Sequence, residues 1–138
     1  MFILDTSSIY VYTLSTAFDI STASYDNYAF STADYETGLK AFDFSDDGKV
    51  MIILGNVDDT FHEYYLSTGF DLTTASHVSS FSIGSTDTHP KGIGFNDDGS
   101  KMFFLGNEND SVYEYTLVSN YNLKLPTLSS SSPADNAT

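Results

Sequence analysis

The chain has 138 residues, the length of one ordinary domain, and 41% of them are apolar, including 10 Tyr and 11 Phe, so material for a core is present. Cysteine is absent, which excludes a disulfide framework, a thiolate metal site and a Cys nucleophile. Five basic residues against 19 acidic ones leave a net charge of −14; such a surface repels phosphate backbones and anionic headgroups, so neither nucleic acid nor membrane insertion is expected.

Short runs rich in β-branched and aromatic residues, separated by turn residues, follow one another along the chain and predict strands. They fall at 1–4, 9–14 and 24–31, then at 39–45, 50–55, 60–66 and 77–84, then at 91–96, 101–106 and 111–117. No segment keeps a helical period for more than one turn. Phe18-Asp19 and Phe70-Asp71 sit in equivalent loops, where each Asp precedes Ser or Thr and is placed to cap backbone N–H groups. The Phe is expected to anchor the loop. Asp46-Asp47-Gly48 and Asp97-Asp98-Gly99 predict tight hairpins, because Asp-Gly supplies positive φ at low cost. Gly55-Asn56 and Gly106-Asn107 open the following turns. After Leu117, Ser119-Asn120-Tyr121-Asn122-Leu123 echoes the Phe-Asp loop, and residues 129–138 are polar and predicted disordered.

These runs repeat. Residues 38–56 return 51 residues later as 89–107, and 12–25 return as 64–77. Four run types fill one period: A (39–45, 91–96), B (1–4, 50–55, 101–106), C (9–14, 60–66, 111–117) and D (24–31, 77–84). A period of about 40–50 residues filled with short strands points to β-propeller blades. The predicted fold is therefore all-β, with four-stranded antiparallel blades, about two and a half to three per chain, and an incomplete ring. The units span 1–37, 38–88 and 89–123 of a repeat region over 1–123; residues 124–138 form a low-complexity polar tail. In run C the column Tyr10, Tyr12, Leu14 aligns with His62, Tyr64, Leu66 and with Tyr113, Tyr115, Leu117, and is predicted to pack between neighbouring sheets. Run B is apolar on both faces, as a strand sandwiched between sheets should be.

Asp-Asp-Gly-x-Lys-Met-Phe-x-Leu-Gly followed by Val-Tyr-Glu-Tyr-x-Leu-Ser-Thr-x-Phe-Asp-[Ile/Leu]-Ser-Thr-Ala-Ser resembles the tandem repeats of long, uncharacterised surface proteins of marine phages and marine bacteria. The resemblance covers residues 1 to about 123. It implies a propeller displayed outside a cell or on a virion, in arrays of more blades than are found here.

Closed propellers have about 4–8 blades, and the first unit here begins at run B. Two expectations stay open. The chain is part of a longer repeat protein, or it closes its ring as a homo-oligomer. For the second case the segment 122–129 resembles run A and is a candidate donated strand, with Pro126 confining it to an edge.

Candidate chemistry is sparse. Asp43-x-Ser45-x-Asp47-Gly48 resembles the opening of a calcium loop, but position 54 is Leu where the bidentate Glu would stand. An ordinary hairpin turn is favoured; Ca2+ is the one cofactor these turns admit. His62 and His77 stand where other copies carry Tyr, His89 stands where the preceding unit has Gly38, and the three predict no constellation. No Gly-x-Ser-x-Gly elbow or phosphate loop occurs. Nearly every conspicuous residue recurs at the repeat spacing, and recurring features build scaffold, which argues against an enzyme. The predicted function is a non-enzymatic structural or binding module on a virion or cell surface. Its candidate ligand-binding residues are the turn residues Asp46, Asp47, Asn56, Asp58, Asp59, Asp97, Asp98, Asn107, Glu108 and Asp110, with a glycan or host-surface ligand suggested by acids and amides beside aromatics. The alternative is a piece of a propeller enzyme of glycosidase or lactonase type whose active site lies elsewhere.

Overall fold

The computed structural model describes residues 1–133. Strand accounts for 53% and helix for 5%, the helix being two 3-10 turns at Ile20–Thr22 and Leu72–Thr74, so the chain is all-β. Among the described residues, eleven strands form three antiparallel sheets. The first holds β1 (Phe2–Leu4), β2 (Ser8–Leu14) and β3 (Ala23–Ser31). The second holds β4 (Leu39–Phe44), β5 (Val50–Gly55), β6 (Thr60–Leu66) and β7 (Ala75–Ser82), in that order. The third holds β8 (Pro90–Phe95), β9 (Lys101–Gly106), β10 (Ser111–Thr116) and β11 (Thr127–Pro133). The described residues form no closed ring.

The local chemistry places β1 to β10 close to where the sequence predicts strands. Gly48 and Gly99 take φ of 67° and 65° in the Asp-Asp-Gly turns, which closes each hairpin at two residues beyond the Asp pair's start. Asp19 and Asp71 cap the 3-10 turns, accepting the Ser21 and Thr73 backbone N–H at 3.0 Å each. Phe70 lies over Gly48 and Tyr121 over Gly99 so closely that a Cβ would not fit. The Phe-Asp loop is thus clamped onto the hairpin turn of its own sheet. Phe18 has no such turn beside it and is fully exposed.

Sheet packing follows from strand alternation. On β5, Met51 and Ile53 point toward the first sheet and join Ile9, Leu39, Tyr64 and Leu66 in one core. Ile52 and Leu54 point the other way and join Phe61, Met102, Phe104, Tyr113, Tyr115 and Leu117 in a second core. The middle sheet is buried on both faces. The run-C column packs against the preceding sheet in sheets two and three; in the first sheet Tyr10, Tyr12 and Leu14 have no preceding sheet and remain half-buried.

The C-terminal segment departs from the reading as a disordered tail. Thr127–Pro133 pairs with β10 along its length, from Thr116↔Thr127 to Ser111↔Pro133, and takes the fourth place of its own sheet. Residues 122–129 are therefore not free to serve as a donated strand: Leu123 is buried in the second core and 127–129 belong to β11. A serine-rich segment makes a strand here because the outer edge of β10 offers unpaired backbone groups, and pairing them needs no apolar side chain. The remainder of the predicted tail, 134–138, lies outside the described residues.

Leu54 makes the two-sided burial testable. Leu54→Ala should cost about 2–5 kcal/mol, as a truncation in a closed core does, whereas Val57→Ala, three residues away on an exposed turn, should stay within about 0.5 kcal/mol. Urea unfolding of the two variants compares them directly.

Candidate functional site

Antiparallel strands put alternate connections at opposite ends of each sheet. The ten turn residues therefore divide between two rims. Asp46, Asp47, Asp97 and Asp98 lie in the β4–β5 and β8–β9 turns at one end. Asn56, Asp58, Asp59, Asn107, Glu108 and Asp110 lie in the β5–β6 and β9–β10 turns at the other.

At the first rim the structure brings Asp46 and Asp47 together with residues the sequence reading did not name. A cleft of about 340 Å3 opens between the second sheet and the β10–β11 loop of the third, lined by Ser45, Asp46, Asp47, Lys49, Val50, Tyr65, Asn120 and Tyr121. Tyr65 is exposed. Burial, and Asp46 beside it, push the Tyr121 phenol up. Asp47 accepts the Lys49 backbone N–H at 3.0 Å and the Ser45 hydroxyl at 2.8 Å, and these bonds hold its carboxyl below the usual range. Asp98 does the same work in the third sheet, accepting from Ser100 N at 2.8 Å and Asn96 Nδ2 at 2.9 Å. Asp47 and Asp98 are thus partly committed to building their turns, while Asp46 and Asp97 are exposed. Asp43 caps the Phe44 N–H at 2.9 Å, and burial raises its pKa. The described residues contain no group of three or more His, Asp or Glu arranged to hold a metal ion.

At the second rim, Asp59 and Asp110 adopt φ of 47° and 46°, a left-handed conformation that Asp tolerates better than most residues. Glu108 accepts the Thr88 N–H at 2.9 Å and its hydroxyl at 2.7 Å, which lowers its pKa. Burial raises the Asp59 carboxyl; His89 opposes that rise, and Glu36, Asp87 and Glu108 add to it. Glu36 and Asp87 are buried acids that the sequence reading missed. Glu36 accepts the Gly38 N–H at 2.6 Å and Asp87 the His89 N–H at 2.8 Å, so each caps the connection between sheets. Their recurrence 51 residues apart was the available signal.

The histidines also behave differently from the prediction. His62 and His77 do form a constellation. Ser80 Oγ lies 2.8 Å from His62 Nδ1 and 2.9 Å from His77 Nε2. A hydroxyl has one proton and two lone pairs, so Ser80 donates to at most one imidazole and accepts from at least one, according to the tautomers. Tyr35 stacks on His77 at 3.9 Å and 15°, and Tyr64 meets both Tyr35 and His77 edge-on. The link was invisible because His62 and Ser80 are 18 residues apart and meet only through the β6–β7 register, His62↔Ser80. The first and third sheets carry Tyr10↔Ala29 and Tyr113↔Ser131 at that pair, so the arrangement belongs to the middle sheet alone. Among the described residues no carboxylate hydrogen-bonds either imidazole. A Ser–His nucleophile therefore has no acid to orient its base. His62 Nε2 and the Tyr64 hydroxyl are buried without a partner.

No family model and no curated protein matches the chain. Solved structures do match its fold. A candidate 6-phosphogluconolactonase from Bacteroides fragilis superposes with a TM-score of 0.65 at 10% identity, covering 94% of this chain and 34% of that one. A second, from Bacteroides uniformis, gives 0.60 at 11% identity, covering 98% and 42%. A functionally unknown protein from Desulfotomaculum acetoxidans gives 0.60 at 13%, covering 91% and 35%. The chain spans between about a third and two fifths of these structures, and at such identities the likeness concerns the fold.

Burial holds both imidazoles below their ordinary value, with His77 lowering His62 further. The folded state thus favours neutral histidine. Above the unfolded-state value of about 6.5 both states are neutral and the contribution is fully present; below it the unfolded chain takes up protons first, and stability is lost until the folded histidines also protonate. His62→Tyr installs the residue that Tyr10 and Tyr113 supply elsewhere. Between pH 7.5 and pH 5 the wild type should lose more thermal stability than this variant, as melting curves at the two pH values would show.

Proposed function

We propose that the chain is an arc of three β-propeller blades that serves as a non-enzymatic structural or binding module on a virion or cell surface. Further blades complete the ring, either from a second copy or from neighbouring parts of a longer chain. The observation that carries the binding reading is the cleft over Asp46 and Asp47. It sets an exposed tyrosine ring, Tyr65, beside carboxylates, the Asn120 amide and the Lys49 ammonium. An apolar ring face with hydrogen-bonding groups at its margin suits a polyhydroxylated ligand, so a neutral or amino-bearing glycan is the ligand class proposed. A charge of −14 suits solubility in a salty exterior and disfavours anionic glycans. The surface location rests on the repeat resemblance.

A second reading, a piece of a lactonase-type propeller enzyme, is favoured by the two Bacteroides structures. A phosphorylated substrate needs cations, and this chain has five lysines and no arginine, with Lys101 already paired to Glu114 at 2.8 Å. The Ser80 pair of imidazoles is the place where hydrolysis by this chain would centre.

A glycan array on the purified chain, followed by titration of any hit, tests the first reading: Tyr65→Ala should weaken binding about tenfold or more, the loss of some 1.4 kcal/mol, while circular dichroism stays unchanged. Silence across the array would sink the glycan assignment. Lactone hydrolysis by the chain that disappears in Ser80→Ala would replace it with the enzymatic reading.

A further inference from the structure

We propose that a second copy of this chain docks head to tail, the open face of its first sheet seating on the open face of the third sheet, and that two copies close a six-sheet ring. The inference rests on the three-blade reading and names the partner and the faces. Within the chain the same contact is made twice. The run-C column of each later sheet packs on residues of the B and C strands of the sheet before it: Tyr64 and Leu66 share a core with Ile9 of β2, and Tyr113, Tyr115 and Leu117 share one with Ile52 and Leu54 of β5 and Phe61 of β6. One half of that contact is left open at each end.

At the first sheet the open half is Met1, Ile3, Tyr10, Tyr12, Leu14 and Tyr25. Tyr25 packs on Tyr10 and Tyr12 with centroids 6.0 and 5.3 Å apart, so the column is already ordered. Beside it, Ile20 is 76% exposed, although its counterparts Leu72 and Leu123 are 2% and 1% exposed against the preceding sheet. At the third sheet the open half is Phe103, Leu105 and Val112. Leu105 is 51% exposed, whereas Leu54 at the same place in the middle sheet is fully buried. An apolar cavity of about 180 Å3 opens here over Gly92, Gly94, Phe103 and Leu105. The glycines stand where the middle sheet carries Ala41 and Asp43, so the face is recessed and can take side chains of a docked sheet.

A polar contact sets the register. In the chain, Glu63 of the middle sheet accepts the Leu123 backbone N–H of the following sheet's loop at 3.0 Å. Glu114 is its equivalent on the open face. Its Oε1 holds Lys101 at 2.8 Å and Ser129 at 2.9 Å, and neither bond uses Oε2. In the docked pair Oε2 would accept the Ile20 N–H of the second copy. Because the two faces differ, the contact is heterologous. Two such contacts related by a twofold axis close a ring whose six sheets fall within the about 4–8 of propellers. Each copy carries −14, so association should strengthen with salt.

Multi-angle light scattering on the intact chain should give twice its 15.1 kDa mass. Tyr12→Asp, at a half-buried position, and Leu105→Asp, at an exposed one, each disable one face, and each alone should be monomeric, its dimer weakened about thirtyfold or more. Mixed, they should re-form a dimer, since each keeps the face the other lacks. Circular dichroism confirms that both variants are folded. A monomeric wild type at millimolar concentration would overturn the second-copy proposal and leave the three-blade reading with blades from a longer chain. A dimer indifferent to both substitutions, or one lost in Tyr12→Asp but kept in Leu105→Asp, would overturn the head-to-tail faces. A larger oligomer or filament abolished by both variants would support the contact and overturn closure at two copies.

Discussion

Everything in this molecule hangs on the period-two alternation of β5. Met51 and Ile53 enter one core while Ile52 and Leu54 enter the other. A strand has only two faces, and both are spent on sheet packing, so no position between Val50 and Gly55 is left for chemistry. Polar function is forced to the sheet ends, where turns project past the packed layer, and to the seams where loops of one sheet overhang the next. The cleft over Asp46 and Asp47 and the acidic rim around Asp59 are consequences of that exclusion. Shared strands also couple the two cores: a void opened by truncating Ile52 is felt next to Ile53, because interiors are close-packed and relax only in part.

The seams are held by a small set of recurring devices. A positive-φ residue at Phe18, Phe70 and Tyr121, with φ of 62°, 62° and 59°, turns the loop back. An Asp or Asn next to it caps the turn, as Asn122 does for Lys124 N at 2.9 Å. The aromatic ring then covers the hairpin glycine where that hairpin is present. The same ring, at Tyr121, also walls the cleft over Asp46 and Asp47. Scaffold and candidate site share this residue, so the shape of the cleft depends on the loop clamp.

Among the three sheets, the middle one alone carries a histidine pair joined through a serine. Its His62, Ser80 and His77 replace apolar or phenolic contacts with a hydrogen-bonded chain under the Tyr35 ring. A site specialised within a repeat shows as an interruption of it. Here the interruption is two histidines in tyrosine positions, each of which taken singly fits an aromatic slot. Only the cross-strand register joins them. Burial of its imidazoles makes the group sensitive to acid.

Strand positions, the Asp-Gly turns, the Asp-capped loops and the two-faced character of β5 were legible in the sequence, because each depends on neighbours within a few residues and on a repeat that shows them more than once. β11 was not, since an edge strand of serines is made by its partner's unpaired backbone and not by its own side chains. The buried pair Glu36 and Asp87 escaped notice because acids are abundant here and burial is decided across sheets. Local backbone preference and side-chain alternation, both readable along the chain, specify which segments are strands and where they turn. Tertiary structure alone decided which turn becomes a cleft, which histidines meet and which apolar faces stay open, because those depend on what lies across the sheet interface.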